Sequence, residues 1–281
     1  MEEHRVSIIC PYRAAAPFLP GLIASVRSQS HPHWELLLID DGSVDAGPTL
    51  VAAAAANDAR ILPLQAPPRP GGKPAGPWWP RNHGLAQATA PWVAFLDADD
   101  LWHPRKLERQ LALHAASGIA ISVTGYGRFG GEGLQLADWR LPPAAFGYAT
   151  LRQVNMIPML TLLARRELLA GGFQPCPHED YLCWLDLFRR EPSLRCHTVP
   201  ELLAFYRVHA GNLTAARWSM PFWTYRVYRT HGAGRLASAA SLLSWGLAQG
   251  SLALRSRRLP LQLALADALA LDPPLPLPPP D

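Results

Sequence analysis

Short runs of apolar residues recur along the first hundred positions: Val6–Cys10, Glu35–Ile39, Ile61–Leu64 and Trp92–Leu96. Each stops at turn-forming or acidic residues, as a strand does, and Pro11 is expected to end the first. Between them the pattern turns helical. Leu19, Leu22, Ile23 and Val26 recur at helical spacing within a helix expected over about 18–29. An alanine-rich helix, capped by Asp45, is expected to reach Asn57. Further helices are predicted over 82–88 and 104–116. The stretch 67–80, rich in Pro and Gly and carrying Trp78 and Trp79, reads as a long loop. Strands that are apolar throughout, alternating with helices, predict an α/β fold with a mostly parallel sheet and helices on both faces.

Beyond residue 120 the pattern weakens. Residues 125–149 are Gly-rich and read as irregular; Met159–Ala164 reads as a strand, Arg165–Ala170 as a short helix stopped by Gly171-Gly172. A helix is predicted over Glu179–Arg190, then strands over 194–199 and 202–206.

Acidic residues gather where the strands end. Asp97, Asp99 and Asp100 follow Leu96, and Asp40-Asp41 follow Ile39. Side chains two apart on an extended segment point the same way, so Asp97 and Asp99 can converge on a hard cation such as Mg²⁺ or Mn²⁺. On these residues alone a helix entry capped by Asp100 is an equal alternative. In parallel sheets ligands bind beyond the carboxyl ends of the strands, the rim that both acidic groups share.

Composition narrows the reading only a little. The chain has 281 residues and a formal charge of +4, too mild a balance to point to nucleic acid. Of 26 basic residues only Lys73 and Lys106 are lysine, a bias that matches GC-rich coding. Cys10, Cys176, Cys183 and Cys196 form no zinc-type pair, and reduced thiols in a cytosolic protein are expected. The opening Met1–Arg5 is acidic, leads straight into a strand and is no signal peptide. Between Glu201 and Asp267 no acid occurs, while Arg207, Arg217, Arg226, Arg229, Arg235, Arg255, Arg257 and Arg258 alternate with Trp218, Phe222, Trp223, Tyr225, Tyr228 and Trp245. Helices of this kind suit the surface of an anionic membrane better than its interior. A packed helical hairpin is the alternative. The Pro-rich 271–281 is expected to be a disordered tail.

Taken in order, several short segments resemble the family 2 glycosyltransferases of GT-A fold: Val6–Pro11, Ile39-Asp40-Asp41-Gly42-Ser43, Arg81-Asn82-His83-Gly84, Phe95–Asp100 as a D-x-D motif, Gly171-Gly172-Phe173, His178-Glu179-Asp180, and Tyr206-Arg207-Val208-His209-Ala210-Gly211-Asn212. Together they span about 5–215, which sets the expected domains: 1–215 catalytic, 216–270 a basic aromatic helical appendage, 271–281 the tail. The basic aromatic region is similar to that of members in bacterial cell-surface polysaccharide assembly.

The resemblance implies inverting transfer of a sugar, UDP-linked, from a nucleotide-sugar donor to a saccharide or lipid-linked acceptor, at the cytoplasmic face of a membrane. It implies Asp97, Asp99 and His209 as ligands of Mn²⁺ or Mg²⁺ and Asp180 as catalytic base. Substrate contacts would come from Pro11, Asp40, Asp41, Arg81 (at the pyrophosphate) and Glu179 (orienting the acceptor). One departure stands out: where the family often has Tyr and Asn after the first strand, this chain has Arg13 and Ala14, which puts that contact with the base in doubt. Two other readings are weighed. A sugar nucleotidyltransferase resembles this arrangement but has a Gly-rich phosphate loop, and Cys10–Ala14 contains no glycine. A glycosyltransferase-like scaffold without activity would show eroded carboxylates, and here they are present.

Overall fold

Four of the apolar runs form a parallel block. In the computed structural model, which describes residues 2–69, 76–130, 134–209, 220–255 and 264–277, β1 (Val6–Tyr12) pairs with β2 (Trp34–Asp40) on one side and β4 (Trp92–Phe95) on the other, and β3 (Ile61–Gln65) lies beyond β2. The connecting helices are α1 (Leu19–Arg27), α2 (Gly47–Asn57) and α3 (Trp78–Gln87). Along β1, Ile9 faces one core while Ile8 and Cys10 face the other. The same alternation puts Leu37 and Ile39 of β2 opposite Leu36 and Leu38. Burial on both faces is why these strands are apolar throughout. Gly84 lets α3 lie close on the sheet, since a Cβ there would stand 2.6 Å from Ile9.

The rest of the sheet is mixed. After β5 (Leu101–Trp102) and α4 (Lys106–Ser117) come β6 (Ile121–Gly130), β7 (Gln135–Arg140), β8 (Ala145–Phe146), α5 (Tyr148–Leu151), β9 (Leu163–Arg165), α6 (Glu179–Arg190) and β10 (Cys196–Val208). The strand order is β3-β2-β1-β4-β9-β6-β10-β5, with β7 on β6 and β8 on β10. β9 runs antiparallel to both β4 and β6, and β10 runs parallel to β6. From β1 the chain builds outward to β3 and then crosses back to β4, so the order reverses between β1 and β4, the place where such sheets open a crevice. Three more helices end the described chain: α7 (Met220–Thr230), α8 (Arg235–Arg255) and α9 (Leu265–Ala270). No described helix is long and apolar enough to cross a membrane.

Several expectations need correction. Pro11 does not stop β1, which continues to Tyr12. The Ile9 carbonyl faces β4, accepting from the Leu96 N–H at 3.1 Å. By the two-residue period Pro11 turns its missing N–H to that same side, past the end of β4, where no ladder bond is lost. Trp78 and Trp79 belong to α3 rather than to a loop. The Gly-rich stretch after Gly125 is largely regular, because its glycines admit close neighbours: a Cβ at Gly125 would collide with Leu277. Met159–Thr161 is a 3-10 turn ahead of the short β9, and the two strands expected over 194–206 are one bulged strand, β10.

The Pro-rich end is also ordered as far as Leu277. Leu275 accepts from the Leu202 N–H at 2.9 Å, the Leu277 N–H donates to Pro200 at 2.7 Å, and Leu277 is buried with Leu265, Phe129 and Phe205. Prolines forbid a helix but not an extended strap along an open strand, and the leucines between them supply the apolar contacts. Residues 278–281 and the boundary expected at 215/216 lie outside the described residues, as do Arg217, Trp218, Arg257, Arg258 and the Ala210-Gly211-Asn212 end of the histidine motif.

Candidate active site

The carboxyl ends of β1, β2 and β4 carry the residues expected to meet the donor. After β2, Asp40 accepts the Ser43 N–H at 2.8 Å, closing a tight turn. The loop after β1 is clasped to that turn: the Ala14 N–H donates to Ser43 Oγ at 3.0 Å and the Ala16 N–H to Asp45 Oδ2 at 2.8 Å. Asp45 also accepts from Gly47 at 3.0 Å, but it is not the expected cap: the N-cap of α2 is Ala46, which makes no side-chain cap bond, and Asp45 instead ties the two loops together. Asp41 is held by Arg69, whose Nη2 stands 2.7 Å from Oδ2. Arg69 sits in the Pro-rich stretch, and no motif singled it out. Pro11, taken from the resemblance as a substrate contact, is buried within β1 opposite Ile39.

The three carboxylates after β4 part company. Asp100 is 1 % exposed; its Oδ1 accepts the Arg207 N–H at 2.9 Å and its Oδ2 is buried without a partner. Burial, with Asp99 and Asp97 adding to it, pushes the Asp100 carboxyl well up. Arg207 Nε donates to the Asp99 carbonyl at 2.9 Å, and its guanidinium lies 4.5 Å from the Phe129 ring centre. These bonds fasten the end of β10 to the acidic turn and bring His209 to it, with Nε2 2.9 Å from Asp99 Oδ2. Phe18 stacks on the His209 ring at 5.1 Å. Burial and the neighbouring charge of Asp97 raise the Asp99 carboxyl.

Asp97 turns the other way. Arg81, near the start of α3, donates to Asp97 Oδ1 at 2.6 Å from one Nη and to Glu179 from the other. Its side chain is only 5 % exposed, and its Nε has no partner. Arg81 was expected at the pyrophosphate; in the structure its charge lies between two carboxylates from opposite walls of the crevice. Burial pushes the Glu179 carboxyl up to about 7, Arg81 pulling it down and Asp180 adding to the rise. Asp180, next along α6, accepts from Asn155 Nδ2 at 3.1 Å. Beside Arg81, Asn82 clamps Phe173 through both its N–H and its carbonyl, at 2.7 Å each, tying the Gly171-Gly172-Phe173 turn to α3.

The structure thus joins Asp99 with His209, and Asp97 with Glu179 through Arg81, while Asp40 and Asp41 stand at the end of β2, on the far side of β1 from the acidic turn. Among the described residues, no three His, Cys, Asp or Glu side chains are gathered closely enough to hold a metal ion. A separate cleft of about 620 Å³, lined by Leu85, Pro91, Arg165, Arg166 and Glu167 among others, includes none of these carboxylates.

This arrangement can be set beside known proteins. Residues 7–167 match the family model described as glycosyl transferase family 2. The chain belongs to that family. TuaG of Bacillus subtilis, named as a teichuronic acid biosynthesis glycosyltransferase, is 30% identical over 80% of this chain and 87% of its own length. WfgD of Escherichia coli, named UDP-Glc:alpha-D-GlcNAc-diphosphoundecaprenol beta-1,3-glucosyltransferase, is 31% identical over 67% of this chain and 72% of its own. The crystal structure of S. aureus TarS 1-349 in complex with UDP-GlcNAc superposes with a TM-score of 0.64 at 17% identity, covering 88% of this chain and 73% of that one. This family 2 member is accordingly a glycosyltransferase with a GT-A-like fold.

Proposed function

We propose that this glycosyltransferase works with inversion, depends on a divalent metal, and moves a sugar from a UDP-sugar to a hydroxyl of a saccharide or lipid-linked acceptor in cell-surface polysaccharide synthesis. The observation that carries the reading is the Arg81 bridge, which sets the start of α6 against the acidic turn after β4. Donor-side and acceptor-side carboxylates then face one crevice, as a transfer between two substrates requires. The UDP reading is supported by WfgD, named for UDP-Glc, and by the UDP-GlcNAc complex of TarS.

In this reading Asp40 and Asp41 accept hydrogen bonds from the base and ribose, Arg69 keeping Asp41 oriented. Asp97, Asp99 and His209 would hold Mn²⁺ or Mg²⁺, a set of two carboxylates and an imidazole that suits such ions. When bound, the ion offsets the charge that builds on the departing diphosphate. Asp99 and His209 already stand together at 2.9 Å, which supports the fit for those two, while Asp97 is held by Arg81 and would have to turn from it to join them. Asp180 takes the proton of the acceptor hydroxyl as its oxygen bonds to the anomeric carbon; the bond to the diphosphate breaks, and the nucleoside diphosphate leaves with the electron pair. Asn155 holds one Asp180 oxygen so that the other can receive the proton. Glu179 orients the acceptor side through Arg81.

The C-terminal helices would rest on the inner, anionic face of a membrane. Phe222, Leu236, Leu243 and Leu247 are exposed, the three leucines along one stripe of α8, with Arg226, Arg229 and Arg235 exposed nearby. One experiment addresses the whole reading: release of nucleoside diphosphate from a panel of nucleotide-sugars in Mn²⁺, with lipid-linked acceptor in anionic or neutral vesicles. Asp180→Asn should lower transfer by about 10²–10⁴-fold, and the protein should sediment with the anionic vesicles. Normal transfer by Asp180→Asn overturns the base assignment, and equal sedimentation with neutral vesicles overturns the membrane contact.

A further inference from the structure

The turn that leads Glu179 and Asp180 into α6 is held in an unfavourable conformation. His178 has φ 56° and ψ 50°, in the left-handed region that side chains with a Cβ rarely adopt. Its carbonyl accepts the Leu182 N–H at 3.2 Å, so the first turn of α6 is built on this residue. No side-chain hydrogen bond caps the helix there. Strain of this kind persists only where the surroundings over-determine it.

What surrounds His178 comes from outside the sheet. Its ring packs edge-on against Trp223 of α7, with centroids 5.3 Å apart and planes at 63°. Among the described residues the buried imidazole Nε2 has no hydrogen-bond partner, so the ring contact is what the structure shows holding it. α7 itself is firmly seated. Thr224, Val227 and Tyr228 are buried; the Tyr228 hydroxyl donates to the Arg152 carbonyl at 2.9 Å and lies 3.2 Å from the hydroxyl of Tyr181, the residue after Asp180.

We propose that α7 is part of the acceptor side of the catalytic centre, with Trp223 as a positioning residue that holds the His178-Glu179-Asp180 turn in its left-handed entry. The proposal rests on the reading of Asp180 as the base. Without the indole, the turn can relax toward the right-handed region, swinging the peptide that precedes Glu179 and displacing Asp180 from the acceptor hydroxyl. Misplacement by about 1 Å is enough to cost roughly 10²-fold in rate.

The test measures kcat and the donor KM for transfer in Trp223→Ala, Trp223→Phe, His178→Ala and the double variant Trp223→Ala/His178→Ala, with Asp180→Asn alongside. Alanine removes the ring that Trp223 grips and keeps a Cβ, which disfavours the left-handed region. The expected result is a fall in kcat of about 10- to 100-fold for Trp223→Ala with the donor KM unchanged, substantial recovery in Trp223→Phe, and a similar fall in His178→Ala. The double variant should fall no further than the worse single one, because the two side chains act as a unit. A Trp223→Ala kcat within about twofold of the parent, or losses that multiply in the double variant, overturns the proposal. Should Trp223→Ala fail to fold, Trp223→Phe and His178→Ala decide by the same criteria: a His178→Ala kcat near that of the parent overturns it. Normal transfer by Asp180→Asn would instead remove the base reading itself. An inactive Asp180→Asn beside a normal Trp223→Ala would leave the base reading standing and dismiss Trp223 alone.

Discussion

The two walls of the crevice are built on different principles. On the side proposed for the donor, β1, β2 and β4 are parallel, buried on both faces, and place Asp40, Asp41, Asp97 and Asp99 where they end. On the side proposed for the acceptor, Glu179 and Asp180 depend on side-chain contacts from elsewhere: Arg81 from α3, Asn155 from the loop after α5, and the contact of His178 with α7. The first wall is fixed by the backbone ladder and is tolerant. The second is assembled from side-chain contacts between distant elements, and at the buried Arg81–Glu179 pair the loss of one partner leaves a costly orphan.

Arg81→Met should break this contrast most severely. At a pH where Glu179 is ionised it leaves that carboxylate uncompensated in a buried place and Asp97 without its partner, at a cost of about 3–5 kcal/mol; urea unfolding of parent and variant at that pH measures it. A loss under about 1 kcal/mol would mean that the bridge is dispensable. Arg81→Lys should recover only part, because a single ammonium lacks the fork that reaches both carboxylates.

The pH dependence sharpens the same point. Folded Glu179 keeps its proton to about 7, against an ordinary value of 4.5, so the folded state holds the extra proton between these two values. Its contribution to stability is therefore whole below the ordinary value and lost as pH rises through about 7. Glu179→Gln should remove that slope, so the stability profiles of parent and variant should converge or part across this window. Parallel profiles would show that Arg81 keeps Glu179 charged throughout. The smallest effect is expected far from both walls. Asp272→Ala breaks an exposed pair with Arg105 and should change stability by no more than about 1 kcal/mol in the same assay.

This contrast also explains what could be read from the residues alone. The donor wall was legible because a doubly buried parallel strand must be apolar along its whole length, and its acidic end then stands out. The acidic turn, His209 and Asp180 were reachable through short motifs whose order along the chain is informative. Arg81 could be found as a residue but not as a bridge, since its two partners lie 16 and 98 positions away and only packing brings them together. Arg69 carried no pattern at all. In the second half, glycines that admit close neighbours, as at Gly125, imitate the composition of a loop, and short antiparallel strands such as β9 fall below the length at which periodicity can be seen.

The ordered end of the chain has a mechanical consequence. α7 is gripped by α6 on one side of α8, and on the other side α9 and the strap through Leu277 are fastened to β6, β7 and β10. A helix joined to a domain at one end wanders on its linker and finds a surface by diffusion. One joined at both ends has a short leash and a preferred heading. The leucine stripe of α8 packs beside α7, which is bonded to the residue after Asp180, so a surface that captures the stripe would bias the orientation of the whole crevice.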